Sequence, residues 1–177
     1  MKKCFKILFV GDTCIGAKTS LIREILLRGN ELKNIDDLDF CRGVHKKITL
    51  NNGEEITLIL TDTTGQERFQ SIVFNHMKNK DCIVLGFDLT RKSTFESAKV
   101  SWISEIKEYK WLKYLIGNKN DLIEQRVVCE EEVIQFANEN GLRCFLTSCR
   151  TKEGIQDFLD DLVNELIKIP DNSLKFI

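Results

Sequence analysis

Four short polar stretches in this chain carry residue types that could do chemistry on a phosphorylated ligand. The first is Gly11-Asp12-Thr13-Cys14-Ile15-Gly16-Ala17-Lys18-Thr19-Ser20, close to the phosphate-loop pattern G-x-x-x-x-G-K-[ST]. In that pattern backbone N–H groups cradle phosphates at a helix start, the Lys reaches the outer phosphates and the hydroxyl binds Mg²⁺. Here Lys18-Thr19 comes one residue late. Either Ala17 is a one-residue insertion and Lys18 and Thr19 keep these roles, or Ala17 replaces the Lys and triphosphate affinity collapses. The run Lys18-Thr19-Ser20-Leu21-Ile22 starts a helix as the pattern requires, which favours the insertion. The second stretch is Thr61-Asp62-Thr63-Thr64-Gly65-Gln66-Glu67. Its carboxylate can hold a metal through water, its Gly N–H can approach a γ-phosphate, and its Gln can orient an attacking water. The third is Gly117-Asn118-Lys119-Asn120-Asp121-Leu122 and the fourth Thr147-Ser148-Cys149-Arg150-Thr151. An ordinary turn explains each one alone; four in fixed order are hard to assign to chance.

Each stretch follows an apolar run that reads as a strand, and ligands of parallel sheets bind beyond the carboxyl ends of strands. Strands are expected at residues 5–10, 47–50, 55–60, 82–87, 111–116 and 143–146. The second and third flank Asn51-Asn52-Gly53, a hairpin signal. Helices are expected at 20–27, 94–109, 130–140 and 153–169, with a further one possible after Gln66. Ser93 or Thr94 would cap the second, whose stripe is Phe95, Ala98, Trp102, Ile106 and Tyr109. The last carries Ile155, Phe158, Leu159, Leu162 and Leu166 on one side. Strands alternating with helices imply an α/β fold, a mostly parallel sheet covered on both faces, with an antiparallel hairpin at its edge.

Bulk properties agree. The 177 residues suit one domain, with 42% hydrophobic and 30% charged residues, the composition of a globular chain. Twenty-six basic against 27 acidic residues leave a net charge of -1, which excludes a nucleic-acid footprint and a polybasic membrane surface. Seven Cys, an odd number with no C-x-x-C pair, read as buried cytosolic thiols rather than disulfides or a metal site. The run before Gly11 is too short for a signal peptide. Lys2 excludes myristoylation, and the end Leu174-Lys175-Phe176-Ile177 has no prenylatable Cys, so no direct lipid anchor and a cytoplasmic location are expected.

The stretches GDTCIGAKTSLI, DTTGQERFQSI, FDLTRKSTFESAKVSWISEIK, GNKNDL and FLTSCRTKEGI together resemble a Ras-superfamily small GTPase, most like the Rab branch. The likeness runs over about residues 5–160. It implies a three-layer P-loop NTPase fold: a six-stranded, mostly parallel sheet with one antiparallel edge strand and about five helices. The G domain would span residues 1–170, with a short tail at 171–177. The implied activity is hydrolysis of GTP to GDP and phosphate, as the timer of a binding switch in vesicle trafficking. By the same resemblance Cys14, Ile15, Gly16, Ala17, Lys18, Thr19, Ser20 and Gly65 hold the phosphates, and Thr19 with Asp62 holds Mg²⁺. Gln66 is the catalytic residue. Asn118, Lys119, Asp121, Ser148 and Cys149 form the guanine site. Asp121 accepts from the guanine N1–H and 2-amino groups; adenine offers neither donor. An exchange factor, a GTPase-activating protein and effectors are the implied partners, with no nucleic acid.

The sequence departs from the family in its first switch and in the aromatics near both switches. The first switch normally carries a Thr whose hydroxyl binds Mg²⁺, yet residues 31–47 contain no Thr or Ser. Matching Gly43-Val44 puts Cys41 there; counting back from Asp62 puts Asp39. Asp36, Asp37 and Asp39 make that loop acidic, as a solvated loop would be. The Rab aromatics near the switches are replaced by Thr61, by His76 and Met77, and within His45-Lys46-Lys47; Phe69 and Ile72 remain as possible contacts. Slow turnover follows, and a pseudo-GTPase scaffold is the alternative.

Overall fold

The computed structural model describes residues 3–12, 18–28, 39–63 and 79–170. Six strands form one sheet: β1 (Cys4–Val10), β2 (Val44–Thr49), β3 (Glu55–Asp62), β4 (Cys82–Asp88), β5 (Leu112–Asn118) and β6 (Arg143–Thr147). Their spatial order is β2-β3-β1-β4-β5-β6. Only the β2–β3 pair is antiparallel. All seven residues of β4 are buried, as a central strand covered on both faces requires. The order reverses beside β1, which continues to β3 on one side and β4 on the other, and this switch point lies at the first polar stretch.

The helices are α1 (Thr19–Leu27), α2 (Lys92–Ser97), α3 (Ile103–Ile106), α4 (Glu130–Glu139) and α5 (Ile155–Leu166). A π-helical turn, Ala98–Trp102, joins α2 to α3, so these two run as one rod. A 3₁₀ turn spans Ile123–Gln125. On one face of the sheet α1 and α5 pack Leu21, Ile22, Phe158 and Leu162 onto Phe5, Ile7, Tyr114 and Ile116. On the other, α2, α3 and α4 pack Phe95, Ile106, Val133 and Phe136 onto Leu8, Ile83, Leu85 and Leu115. This is the expected three-layer arrangement. The possible helix after Gln66 and the tail at 171–177 lie outside the described residues.

Three expectations need correcting. The second strand starts at Val44 rather than at residue 47, because Lys46 occupies a core-facing position. Its ammonium donates to the carbonyls of Leu26 and Arg28 at the end of α1, which satisfies groups the helix cannot pair itself. The second helix begins at Lys92, and Thr94 does not cap it. The Thr94 hydroxyl instead donates to Arg91 O at 2.7 Å and accepts from the Asp88 N–H at 3.0 Å. Of the stripe along this helix Phe95, Ala98 and Ile106 are buried and Trp102 and Tyr109 are half-buried against the same cluster; at the π turn Ile103 joins them. The thiols differ too. Cys82 is buried, but Cys4 and Cys129 are exposed, the first at the start of β1 and the second just before α4.

Candidate functional site

Four loops leave the carboxyl ends of β1, β3, β5 and β6, and their described residues lie at that one end of the sheet. At the β1 end Lys18 is 5% exposed and turns back over the loop. Its Nζ donates to Gly11 O at 2.5 Å and Asp12 O at 3.0 Å. Lys18, although a residue late in the pattern, thus closes the loop at the helix start. Thr19 opens α1, and its hydroxyl donates to Asp62 Oδ2 at the end of β3. Asp62 is 1% exposed, and its second oxygen, Oδ1, is buried without a hydrogen-bond partner among the described residues. A buried acceptor with no donor is costly unless a cation meets it. A carboxylate beside a hydroxyl is a hard-oxygen donor set that suits Mg²⁺. These residues therefore fit the ion.

The first switch is described from Asp39 onward. The Asp39 carboxylate accepts from the Cys41 N–H at 3.1 Å and the Arg42 N–H at 3.3 Å, and pairs with the Arg42 guanidinium at 3.2 Å. It is thereby committed to its own turn. Phe40 O accepts from the Asp62 N–H at 2.9 Å, which ties that turn to the carboxyl end of β3. Gly43 follows with φ +95, where a Cβ would lie 3.0 Å from the Ile59 side chain.

Asn118 ends β5 and is 3% exposed. Its Oδ1 accepts from the Thr147 hydroxyl and the Cys149 N–H, both at 3.4 Å, so it braces the β6 loop. Lys119 follows in the left-handed conformation, φ 67. Its Nζ lies 2.6 Å from Asp88 Oδ2, and Asp88 is fully buried at the end of β4. Burial pushes the Asp88 carboxyl up, but hydrogen bonds from Lys119 and from the Thr90 hydroxyl and N–H outweigh it and hold the group below its ordinary value. Asp121 Oδ1 accepts from the Ser148 hydroxyl at 2.6 Å, and Arg150 stands 3.8 Å from Oδ2. The Ser148 Oγ accepts in turn from the Thr151 N–H at 3.0 Å. Burial first, then Glu24, pushes the Cys149 thiol up to about 11, so it stands here as a neutral small side chain.

Ser20, Asn118, Lys119, Asp121, Leu122, Cys149 and Arg150 line a cavity of about 250 Å³. That is below the roughly 300–1,000 Å³ that holds a drug-sized ligand whole, and it suits a base rather than a nucleotide. A larger hollow of about 740 Å³ lies between β2 and α5, away from the four loops.

The structure thus gathers Lys18, Thr19, Asp62, Ser20, Asn118, Lys119, Asp121, Ser148 and Cys149 at one edge of the sheet. Cys14, Ile15, Gly16, Ala17, Gly65 and Gln66 lie outside the described residues, as do Asp36, Asp37, Phe69, Ile72, His76 and Met77. Among the replaced positions, Thr61 is buried, Lys46 is turned inward, and His45 and Lys47 face solvent from β2. Sequence reasoning missed Asp88. Its signal is a lone acid closing a wholly apolar strand that ends level with Asn118.

The chain matches the Ras family over residues 6–168. It is 32% identical over 172 residues to Ras-related protein RABC1 of Arabidopsis thaliana, which covers 94% of this chain and 78% of the relative. Ras-related protein Rab-2B of Dictyostelium discoideum is 31% identical over 170 residues, covering 93% of this chain and 81% of the relative. Ras-related protein Rab-19 of Mus musculus is 32% identical over 169 residues, covering 92% and 75%. With this coverage and the sheet order of its strands, the chain belongs to the Ras family of small GTPases and is Rab-like.

Proposed function

We propose that this chain is a cytoplasmic guanine-nucleotide switch in vesicle trafficking that binds GTP and GDP with Mg²⁺ and hydrolyses GTP slowly. The observation that carries the reading is the pairing of a metal-ready end, Thr19 with Asp62, and a base-sized cavity floored by Asp121 on one sheet edge. Asp121 would accept from guanine N1–H and the 2-amino group. The Ser148 hydroxyl already holds one of its oxygens, which fixes the carboxylate plane. Losing two charge-assisted bonds costs roughly 3–6 kcal/mol, or about two to four decades of affinity, which favours guanine over adenine. The Lys119 stem would lie along the base, with its ammonium anchored on Asp88. The Cys149 N–H and its neighbour would meet the guanine oxygen.

At the other end Lys18 and the loop amides would hold the phosphates. Thr19 and Asp62 would hold Mg²⁺, which supplies charge neutralisation on the phosphate oxygens. Gln66 would orient the attacking water. The product is GDP and phosphate, and the loss of γ-phosphate contacts releases the switch loops. Slowness follows from the first switch. It offers no hydroxyl, and the Asp39 carboxylate is spent on its own turn with Arg42. Exchange factors, activating proteins and effectors are the partners such a cycle needs.

The same Asp39 turn favours one alternative, a pseudo-GTPase scaffold that holds nucleotide without turning it over. Chromatography and mass spectrometry of nucleotide released from the purified full chain separate the readings. GDP or GTP is expected. An empty protein supports the scaffold, and ADP or ATP refutes guanine selection. Single-turnover hydrolysis of bound GTP then distinguishes slow turnover from none.

A further inference from the structure

The phosphate-loop residue Asp12 does not point into solvent. Its Oδ1 accepts from the Ser97 hydroxyl at 2.6 Å and from the Trp102 indole N–H at 3.1 Å. Both donors sit on the α2–α3 rod, at the two ends of its π turn. The turn is what allows this. In a regular α-helix each residue advances about 100°, so residues five apart stand about 140° from each other. Ser97 and Trp102 are five apart and could not then reach one oxygen. In the π turn the Ile103 N–H donates to Ala98 O, an i→i+5 bond, and one extra residue is accommodated. Residues five apart then come onto one side. The added residue costs the rod little outside, since Val100 is 70% exposed.

The other end of this arrangement is the Lys18 ammonium, which Gly11 O and Asp12 O receive. The backbone of Asp12 therefore holds the phosphate-facing lysine, and its side chain is bolted to a separate element of the core. Gly11 and Lys18 are also seven residues apart where the phosphate-loop pattern has six. We infer that Asp12 is a positioning residue of the phosphate site and that the π turn exists to converge Ser97 and Trp102 on it. The inference rests on the nucleotide reading above and adds a specific holder for its phosphate end.

The test uses the full chain loaded with fluorescent mant-GDP, and compares Asp12→Ala, Asp12→Asn and Trp102→Phe with the parent. Asp12→Ala should speed mant-GDP release about tenfold or more, since hydrogen bonds to a charged acceptor are lost. Asp12→Asn keeps an acceptor oxygen and should stay within about threefold of the parent. Trp102→Phe keeps the ring and should fall between them. The double variant Asp12→Ala/Trp102→Phe should release no faster than Asp12→Ala alone, because both changes break one contact. The phosphorus NMR resonance of bound GDP should move in Asp12→Ala and return in Asp12→Asn, which a general loss of stability would not produce. Parental release rates and an unmoved resonance in Asp12→Ala and Trp102→Phe would overturn the inference while leaving the nucleotide reading intact. A parent that takes up no mant-GDP would overturn the nucleotide reading, and this inference with it.

Discussion

Replacing Asp88 with Asn should weaken the protein by an amount that depends on pH. Asp88 is 0% exposed, with Lys119 Nζ at 2.6 Å, the Thr90 N–H at 2.8 Å and the Thr90 hydroxyl at 2.7 Å. An amide at this position keeps an oxygen for Thr90 but loses its charge toward Lys119. Charge-assisted hydrogen bonds contribute about 1.5–3 kcal/mol and neutral ones about 0.5–1.5. Breaking a fully buried ion pair costs more, about 3–5 kcal/mol. The Lys119 side chain is 35% exposed and can rehydrate, so the smaller difference decides and the expected loss is about 1–2 kcal/mol. For a chain of this size that is roughly 2–8 °C in Tm. The sign with pH follows from the carboxyl being held below its ordinary value of 3.8. Its contribution is complete above the unfolded value and is lost as pH falls through the folded one. Urea unfolding of parent and Asp88→Asn should show the full gap near neutral pH and a closing gap below about pH 3.8. A gap that is absent at neutral pH, or unchanged in acid, would refute the argument that the ionised Asp88 holds Lys119.

Three further outcomes follow. Asp121→Asn should lower GTP affinity by about two to four decades and shift preference to xanthine nucleotides, whose extra carbonyl suits an amide donor; nucleotide titrations check it. Gly154→Ala should cost upwards of about 2 kcal/mol, or some 4–8 °C in Tm by thermal melting. Gly154 has φ +68, and a Cβ there would lie 2.2 Å from Leu146 O on the strand that leads to Ser148. Chelating Mg²⁺ with EDTA should speed mant-GDP release about tenfold or more, and in Thr19→Ala release should already be fast and respond little to EDTA.

The strands and their order along the chain were legible because apolar runs are long and local. The candidate site residues were legible for a related reason: Asp62 and Asn118 close strands, and Lys119, Asp121 and Ser148 follow them, each in a short polar stretch whose types suit phosphate, metal or base. What could not be read depends on partners far away in sequence. Asp88 looks like the first polar residue after a strand, and only its position opposite Asn118 brings it to Lys119. Asp12 likewise reads as one more loop acid, although its donors lie 85 and 90 residues away.

The late start given to β2 and the core residue missed on the α2–α3 rod have one physical cause. Period arguments assign a residue to the core by its type and spacing, and both lapses occur where a polar group or an extra residue breaks that link. On β2 the alternation fails at Lys46, because its ammonium finds the end carbonyls of α1 and satisfies them from a buried position. The burial pulls its pKa down without removing that use. An inward lysine on the edge strand also fixes its register against β3, since a slip by one residue would expel it and bury His45 and Lys47. On the α2–α3 rod the 3.6-residue period carries Phe95, Ala98 and Trp102 onto one side, where all three pack on one cluster, and the π turn adds Ile103 to it. Trp102, half-buried there, turns its indole N–H toward Asp12. In each case a lapse from the simplest pattern coincides with a polar contact to the first half of the chain, and at Asp12 that contact reaches the phosphate loop itself.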